Sequence, residues 1–342
     1  MPQNWIDRCE LANYGKVGSV TLDNFSNINL VIGENGTGKT FFLKALYSAV
    51  RAMEEYKRGD ANRSINEILI DKLRWTFQVE RPGDIVTKGT DGPAIFQMTI
   101  GNQLLGYQFG PDCTKKLTTL GIPTSTKEGN SIFIPAKEVL SLFSIILKSR
   151  EMDQVFGFDD TYYDLVKALR IAPSRGKNYS VFAKSRKMVD GIVGGKVDYD
   201  DSSSKWYYKQ GNQKYSIGST SEGVKKIAIM DRLLANGCLD NHSIIFIDEI
   251  ESALHPDAIC AFLDVVDLIA SEMGIQFFIS SHSYFVIKKL YLIALKRKGA
   301  VKCISLSKDA PPIVSDLSLG MPKNSIIDAS IRLYEQEMDE VF

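Results

Sequence analysis

The sequence predicts an α/β protein with a mostly parallel sheet, a flanking antiparallel β-subdomain and a helical insertion. Two stretches carry this prediction. Residues 28–50, "INLVIGENGTGKTFFLKALYSAV", place a glycine-rich loop between a short apolar run and an apolar-rich helix. From residue 221 onward, helical patterns alternate with the near-continuous apolar runs "SIIFIDEI" and "IQFFIS". Apolar strands that alternate with helices are typical of a parallel sheet covered on both faces.

The middle of the chain predicts the two additional regions. Apolar and polar residues alternate in "LRWTFQVE" (73–80) and "AIFQMTIG" (94–101), with Pro/Gly turns between them, which predicts antiparallel strands. Helical spacing of apolar residues in "DDTYYDLVKALR" (159–170) and "VFAKSRKMVDGIV" (181–193) predicts an insertion, and short strands follow it. We therefore expect an N-terminal part of the core with the β-subdomain, a helical insertion with short strands, and a C-terminal part of the core, at residues 1–136, 137–212 and 213–342.

Composition excludes several classes of protein. The 342 residues include 41 Lys plus Arg and 41 Asp plus Glu, so no whole-chain field attracts nucleic acid or an anionic membrane. The five cysteines are scattered without CxxC spacing, which indicates a reduced protein without a zinc site. The start "MPQNWIDRCE" is not a signal peptide, and no apolar run approaches the roughly 18 residues of a membrane span. We expect a cytoplasmic protein that does not contact membranes.

The loop "GENGTGKT" matches GxxxxGK[ST], the pattern of the P-loop nucleoside triphosphatases. Its glycines allow backbone N–H groups to point at phosphate oxygens, and the helix N-terminus behind adds a favourable dipole. Lys39 is predicted to reach the β- and γ-phosphates, and the Thr40 hydroxyl to ligate Mg²⁺. The predicted nucleotide-binding residues of the loop are Gly33, Glu34, Asn35, Gly36, Thr37, Gly38, Lys39 and Thr40.

Two later strands end in candidate catalytic residues. "SIIFIDEI" ends in Asp248 and Glu249, at the strand edge where doubly wound folds bind ligands. Asp248 is predicted to hold Mg²⁺ through water, and Glu249 to polarise the attacking water. "FFISSHS" ends at His282, where a histidine can orient or sense a γ-phosphate.

The stretch "TSEGVKK" (220–226) lies between a strand-like segment and an apolar helix. Ser221 can act as the helix N-cap. Ser221 and Gly223 can also offer a hydroxyl, a close backbone approach and free N–H groups to a nucleotide bound by a second subunit. The two functions do not compete.

In the order and spacing of these motifs, the chain resembles the ABC-type ATPases of the RecF, SMC and OLD group. It looks most like the short AAA-labelled ATPases of bacterial anti-phage systems. The resemblance spans essentially the whole chain, from "LANYGKVGSVTLDNF" through "IFIPAKEVLS" to the switch histidine. It implies that Lys39 and Thr40 belong to Walker A, Ser221 and Gly223 to the signature, Asp248 and Glu249 to Walker B, His282 to the switch, and "SALH" (252–255) to the D-loop.

The resemblance implies an ATPase that uses ATP and Mg²⁺, with Lys39, Glu249 and His282 as catalytic residues. It also implies a homodimer or higher homo-oligomer that forms through the ATP sites and switches conformation on hydrolysis. The implied role is that of a sensor or regulator in antiviral defence or DNA maintenance, acting with a separate effector protein. The signature differs from that of transporter ATPases at Glu222 and Val224, and no coiled-coil arm interrupts the core.

Several alternatives stay open at this point. A RecF-like repair ATPase and a nucleotide-gated scaffold with little turnover both fit the motifs. The basic runs 288–298 and 184–187 are either DNA contacts or solvated helix faces. Gln78 and Gln97 are both candidates for the Q-loop glutamine, and Tyr14 either stacks on adenine or belongs to the core.

Overall fold

The structure, a computed structural model, describes residues 4–60, 63–173, 180–298, 301–308 and 310–341. Within these residues fourteen strands and nine α-helices form. The strands are β1 (Ile6–Tyr14), β2 (Gly18–Asp23), β3 (Ile28–Ile32), β4 (Ala94–Ile100), β5 (Gln103–Phe109), β6 (Thr118–Gly121), β7 (Ile132–Ile134), β8 (Lys196–Asp200), β9 (Lys205–Gln210), β10 (Gln213–Ser216), β11 (Ile244–Ile247), β12 (Gln276–Ser281), β13 (Lys302–Ser305) and β14 (Ile313–Asp316). The helices are α1 (Lys39–Glu55), α2 (Ile65–Phe77), α3 (Phe143–Glu151), α4 (Asp160–Arg170), α5 (Ser180–Val193), α6 (Glu222–Ala235), α7 (Pro256–Met273), α8 (Tyr284–Arg297) and α9 (Ser325–Val341).

The central sheet has the strand order β14-β13-β3-β12-β11-β7. Every neighbouring pair is parallel except β13 with β14, which forms an antiparallel edge. Carboxyl ends of parallel strands lie at one edge of a sheet, so the segments after β3, β11 and β12 are brought together there. The predicted mostly parallel sheet is confirmed.

Both faces of the central sheet are covered. On β11, Ile245 and Ile247 pack into one apolar cluster together with residues of α6, α7 and α8. Ile244 and Phe246 point the other way, into a second cluster with α1 and the antiparallel sheet. Successive side chains of a strand face opposite sides, so a strand buried on both faces must be apolar throughout, as the sequence of β11 is.

Two antiparallel sheets flank this core. The order β2-β1-β4-β5-β6 forms the predicted β-subdomain, and β10-β9-β8 forms a small sheet beside the helical insertion. The insertion contains α3, α4 and α5, which confirms the helical pattern expected in this part of the chain.

One predicted strand is wrong. Residues 73–77 of the segment "LRWTFQVE" form the last turns of α2, and residues 78–80 follow the helix. The segment is therefore not a strand. The helix is determined upstream, where Ser64 and Glu67 form a reciprocal capping box. Buried Ile65, Ile68, Leu69 and Leu73 follow at helical spacing. The alternation of apolar and polar residues over residues 73–80 is too short to outweigh the longer 3.6-residue pattern that begins at Ile65.

The five cysteines are free thiols, three of them buried. Within the described ranges, no helix is both long and apolar enough to cross a membrane.

Candidate functional site

The glycine-rich loop begins where β3 ends and leads directly into α1. Gly33 has a φ of +152°, and a Cβ at this position would lie 2.4 Å from the carbonyl oxygen of Leu306. Gly38, the residue before α1, has a φ of +91° and lies against the backbone of Lys16. At Gly33 both the backbone conformation and the space exclude a side chain, and at Gly38 the positive φ strongly favours glycine. The loop therefore curls tightly against its neighbours.

Lys39 is buried within this curl. Its Nζ donates hydrogen bonds to the carbonyl oxygens of Gly33, at 2.8 Å, and Glu34, at 2.9 Å. Burial lowers the pKa of Lys39, and the nearby carboxylates of Glu249 and Asp248 partly oppose that shift. The ammonium group thus lies inside the loop, in position to meet an anion held by the backbone N–H groups.

Thr40 and Asp248 meet across the sheet edge although 208 residues separate them. The Thr40 hydroxyl lies 3.0 and 2.9 Å from the two carboxylate oxygens of Asp248. Ser280, at the end of β12, donates its hydroxyl to Asp248 at 2.5 Å. Mg²⁺ at a P-loop needs a hydroxyl, phosphate oxygens, waters and one carboxylate, so this pair fits the ion without a larger acidic cluster. In the described part of the chain no group of three or more His, Cys, Asp or Glu forms another metal site.

Glu249 adopts a left-handed backbone conformation, with a φ of +44°. Its N–H donates to the Ser280 hydroxyl at 2.8 Å, and its carbonyl accepts from Lys226 Nζ at 2.5 Å. Lys226 also donates to the carbonyl of Asp248 at 3.2 Å. A left-handed non-glycine residue costs about 1–3 kcal/mol and persists only when its surroundings hold it. Here Ser280 and Lys226 hold the turn that carries Glu249.

A cavity of about 370 Å³ opens at the loop. On the loop side the cavity is lined by the residues that the sequence predicts to bind the nucleotide. On the far side it is lined by residues of the β-subdomain, of α2 and of the helical insertion. Lys44 forms an ion pair with Asp159 at 2.6 Å across this far side. The lining residues are Lys16, Asn35, Gly36, Gly38, Lys39, Thr40, Phe41, Lys44, Thr76, Phe77, Gln78, Asp159 and Glu249. The volume and the mixed cationic and aromatic lining suit a charged ligand with a ring.

The structure separates the two Q-loop candidates and decides the position of Tyr14. Gln78 lines the cavity, and with its amide oxygen turned toward the insertion it lies 3.0–3.2 Å from the backbone nitrogens of residues 157–159. Gln97 lies on β4 and lines a different depression. Tyr14 is fully buried, and its hydroxyl is 2.9 Å from the hydroxyl of Tyr107. Tyr14 is therefore a core residue and does not stack on a base.

His282 follows β12 and is half-exposed. Its backbone N–H donates to Glu251 at 2.7 Å, and its Nδ1 lies 3.2 Å from the same carboxylate oxygen. The other oxygen of Glu251 is buried without a hydrogen-bond partner among the described residues. Glu251 therefore fixes both the backbone and the ring of His282 at the sheet edge.

Comparisons with known proteins bear on the fold that carries this site. A family model described as "AAA domain, putative AbiEii toxin, Type IV TA system" matches residues 127–288. The chain is similar to a crystal structure of an SMC head bound to the C-winged helix domain of ScpA, with a TM-score of 0.54 and 14% identity over 92% of this chain and 98% of that one. It is also similar to the Smc head domain with an extended coiled coil from Pyrococcus furiosus, bound to the C-terminal domain of ScpA, with a TM-score of 0.50 and 12% identity over 98% of this chain and 99% of that one.

The chain has the fold of the SMC head domains. No curated protein sequence matches it. The predicted resemblance to the SMC group is confirmed at the level of the fold, and the family model that matches residues 127–288 is of the AAA type. The narrower resemblance to ATPases of anti-phage systems stays a prediction.

The signature-like segment lies outside the cavity. Ser221 caps α6, accepting from the Val224 N–H at 3.5 Å, and its side chain is exposed. Gly223 packs against the D-loop-like segment, where an added Cβ would lie 2.5 Å from the carbonyl oxygen of Ala253. The glycine is therefore required by packing within the chain. Ser221 is less constrained by packing within the chain than Gly223, because its side chain is exposed to solvent.

Sequence reasoning missed several residues of the site. Ser280 and Glu251 lie within two residues of predicted ones, Ser280 near the end of β12 and Glu251 in the turn after β11, and this proximity was an available signal. Lys226 stands in the quoted stretch "TSEGVKK", but nothing in the motif shows that its side chain reaches the acid pair. Asp159 and Lys44 carry no motif at all, since only folding brings the insertion beside α1.

Proposed function

We propose that this chain binds Mg·ATP in the cavity at the P-loop and hydrolyses it. The observation that carries the proposal is the convergence of Lys39, Thr40, Asp248 and Glu249 at one sheet edge. A cationic clamp, a hydroxyl–carboxylate pair and a free carboxylate are the groups that phosphoryl transfer to water requires. The ATPase fold supports the same conclusion.

In the proposed mechanism, residues 33–40 hold the phosphates through backbone N–H groups and the Lys39 ammonium. Thr40 and Asp248 would hold Mg²⁺, which when bound neutralises charge on the phosphate oxygens. Glu249 takes a proton from the attacking water, and the turn held by Ser280 and Lys226 aims its carboxylate into the cavity. His282, oriented by Glu251, orients or senses the γ-phosphate.

We further propose that a second copy completes the site. Ser221 and Gly223 do not line the cavity of their own chain. Ser221 is exposed at the N-terminus of α6, where free N–H groups and the helix dipole favour an anion. Two chains arranged head to tail would each place this helix start against the γ-phosphate bound by the other.

The resemblance supports a biological role as the switching subunit of a defence or DNA-maintenance system, with a separate effector. The description of the matching family model names a toxin–antitoxin system. The SMC heads compared above are bound to ScpA domains. The bound ScpA domains are the observation that supports a separate partner protein.

The test compares two substitutions at Ser221 in a Glu249→Gln background. Glu249→Gln should retain ATP binding and lower hydrolysis by about 10²- to 10⁴-fold, the usual value of general-base help. Asp and Asn both cap helices well, so Ser221→Asp and Ser221→Asn differ mainly in charge. ATP-driven association, measured by light scattering, should be lost in the Asp variant because its carboxylate faces the γ-phosphate of the other copy, and kept in the Asn variant.

Equal association of the two variants would contradict the shared site. A parent chain that turns over as slowly as Glu249→Gln would instead favour a nucleotide-gated scaffold. Strong stimulation of turnover by duplex DNA would favour a RecF-like repair ATPase.

A further inference from the structure

The C-terminal part of α9 projects from the fold without covering. Every residue from 331 to 340 is exposed, and three apolar side chains among them lie at spacings of three and four. Ile331, Tyr334 and Met338 are 50%, 62% and 39% exposed. A helical end of about three turns is marginal in water unless its apolar face is packed. This apolar face is uncovered among the described residues.

A second uncovered stripe runs along α8. Phe285, Leu292 and Leu295 lie on one face of the helix, and Phe285 and Leu292 are each 51% exposed. Lys288 lies within this stripe, and Lys296 lies one turn after Leu292. The stripe from residue 285 to 295 is about 15 Å long at 1.5 Å per residue, which matches the length of the exposed part of α9.

The charges beside the two stripes are opposite. Glu335 and Glu337 flank the α9 stripe, and Lys288 and Lys296 accompany the α8 stripe. Within the described residues none of these four side chains takes part in an ion pair, whereas Lys289 pairs with an acid of α7. Like charges disfavour pairing of α9 with α9, or of α8 with α8, and opposite charges favour α9 with α8.

The two stripes do not cover each other within one chain. Only the first part of α9 packs against the core, through Ile326 and Ile327. Both stripes remain exposed in the same molecule, although α8 and α9 contact each other. Each stripe therefore has its complement in apolar character, length and charge on the other helix, but does not meet it within one chain.

We propose that the projecting end of α9 packs on the α8 stripe of a second copy of this chain. A twofold axis repeats the contact, so each copy donates one α9 and accepts the other. The interface buries both apolar stripes and pairs the glutamates of one copy with the lysines of the other. It needs no nucleotide, which separates it from the association proposed through the ATP sites.

The experiment is sedimentation velocity of the nucleotide-free chain with charge-reversal variants. One variant carries Glu335→Lys and Glu337→Lys, and the other carries Lys288→Glu and Lys296→Glu. Each alone should weaken self-association about tenfold or more, because two attractive pairs become repulsive at each contact. An equimolar mixture of the two should associate as strongly as the parent, since both contacts are again complementary.

The control variant is Lys184→Glu with Lys187→Glu on α5, which makes the same charge change on a different exposed helix face. It should associate like the parent. The proposal is overturned if the nucleotide-free parent is monomeric at about 100 μM, if the control variant dissociates like the α8 variant, or if mixing restores nothing. None of these outcomes would contradict the proposed ATP site, because the contact between α9 and α8 needs no nucleotide. Lys39→Ala protein should therefore sediment like the parent.

Discussion

Lys226 provides the sharpest test of how this fold positions its acid pair. The side chain is 6% exposed, and its ammonium donates to the carbonyls of Glu249 and Asp248. It does not line the nucleotide cavity. Lys226→Met keeps a long unbranched side chain and removes the donor. We predict that this change lowers turnover while ATP affinity changes little and the loss of stability is limited by two opposing contributions.

The effect on stability follows from two opposing contributions. Two partly buried carbonyls lose their donor, at about 1–3 kcal/mol each. Against this, burial lowers the pKa of Lys226 from 10.5 to about 8, partly offset by Glu251 and Asp248. At pH 7 this lowered pKa means that keeping the ammonium charged inside the fold costs about 3 kcal/mol, which methionine avoids. The two contributions largely offset each other, so the free energy of unfolding should fall by no more than about 3 kcal/mol.

The effect on turnover follows from the backbone of Glu249. Its left-handed conformation is worth about 1–3 kcal/mol of strain, and Lys226 is one of two groups that hold it. If 1–2 kcal/mol of that restraint is lost, the population of the aimed carboxylate falls about 5- to 30-fold. The turnover number should fall by the same factor, and ATP affinity should stay within about twofold.

The assay combines steady-state phosphate release, ATP binding by calorimetry and urea unfolding. Lys226→Arg retains a donor and should recover part of the turnover. Lys225→Met is the matched control, because Lys225 is equally buried on the same helix but donates to Ser141 at 2.9 Å, away from the acid pair. Parental turnover in Lys226→Met, or an equal loss of turnover in Lys225→Met, would refute the positioning role.

Three further predictions test other parts of the molecule. Lys39→Ala should abolish ATP binding measured by calorimetry, and near-normal affinity would contradict the P-loop assignment. Burial opposes the ionisation of Asp164, but Lys72 and other cations outweigh it and hold the pKa of Asp164 well below its usual range. Its stabilisation is therefore present above about pH 4 and lost as the pH falls further, so Asp164→Asn should cost about 3–5 kcal/mol at pH 7 and progressively less in acid, measured by urea unfolding. Tyr14→Phe should lower stability by about 1–3 kcal/mol, because the Tyr107 hydroxyl loses its buried partner, and leave ATP affinity unchanged in the same calorimetric assay.

The local parts of this protein were determined by the sequence itself. A strand, a loop with glycines at Gly33 and Gly38 and a following helix are consecutive in the chain, so their spacing alone predicts the phosphate-binding loop. The apolar runs of β11 and β12 likewise predict a sheet buried on both faces, and hence that Asp248 and His282 lie at one edge.

Contacts between distant segments were decided only by the tertiary structure. Sequence patterns kept both Gln78 and Gln97 as candidates, and the packing of α2 beside the cavity separates them. Lys226 and Ser280 hold the turn at Glu249 through hydrogen bonds that bridge 23 and 31 residues of chain. Such bonds depend on strand order and on which way a side chain points from its helix. Periodicity reports which face of an element is buried, but not which neighbour that face meets.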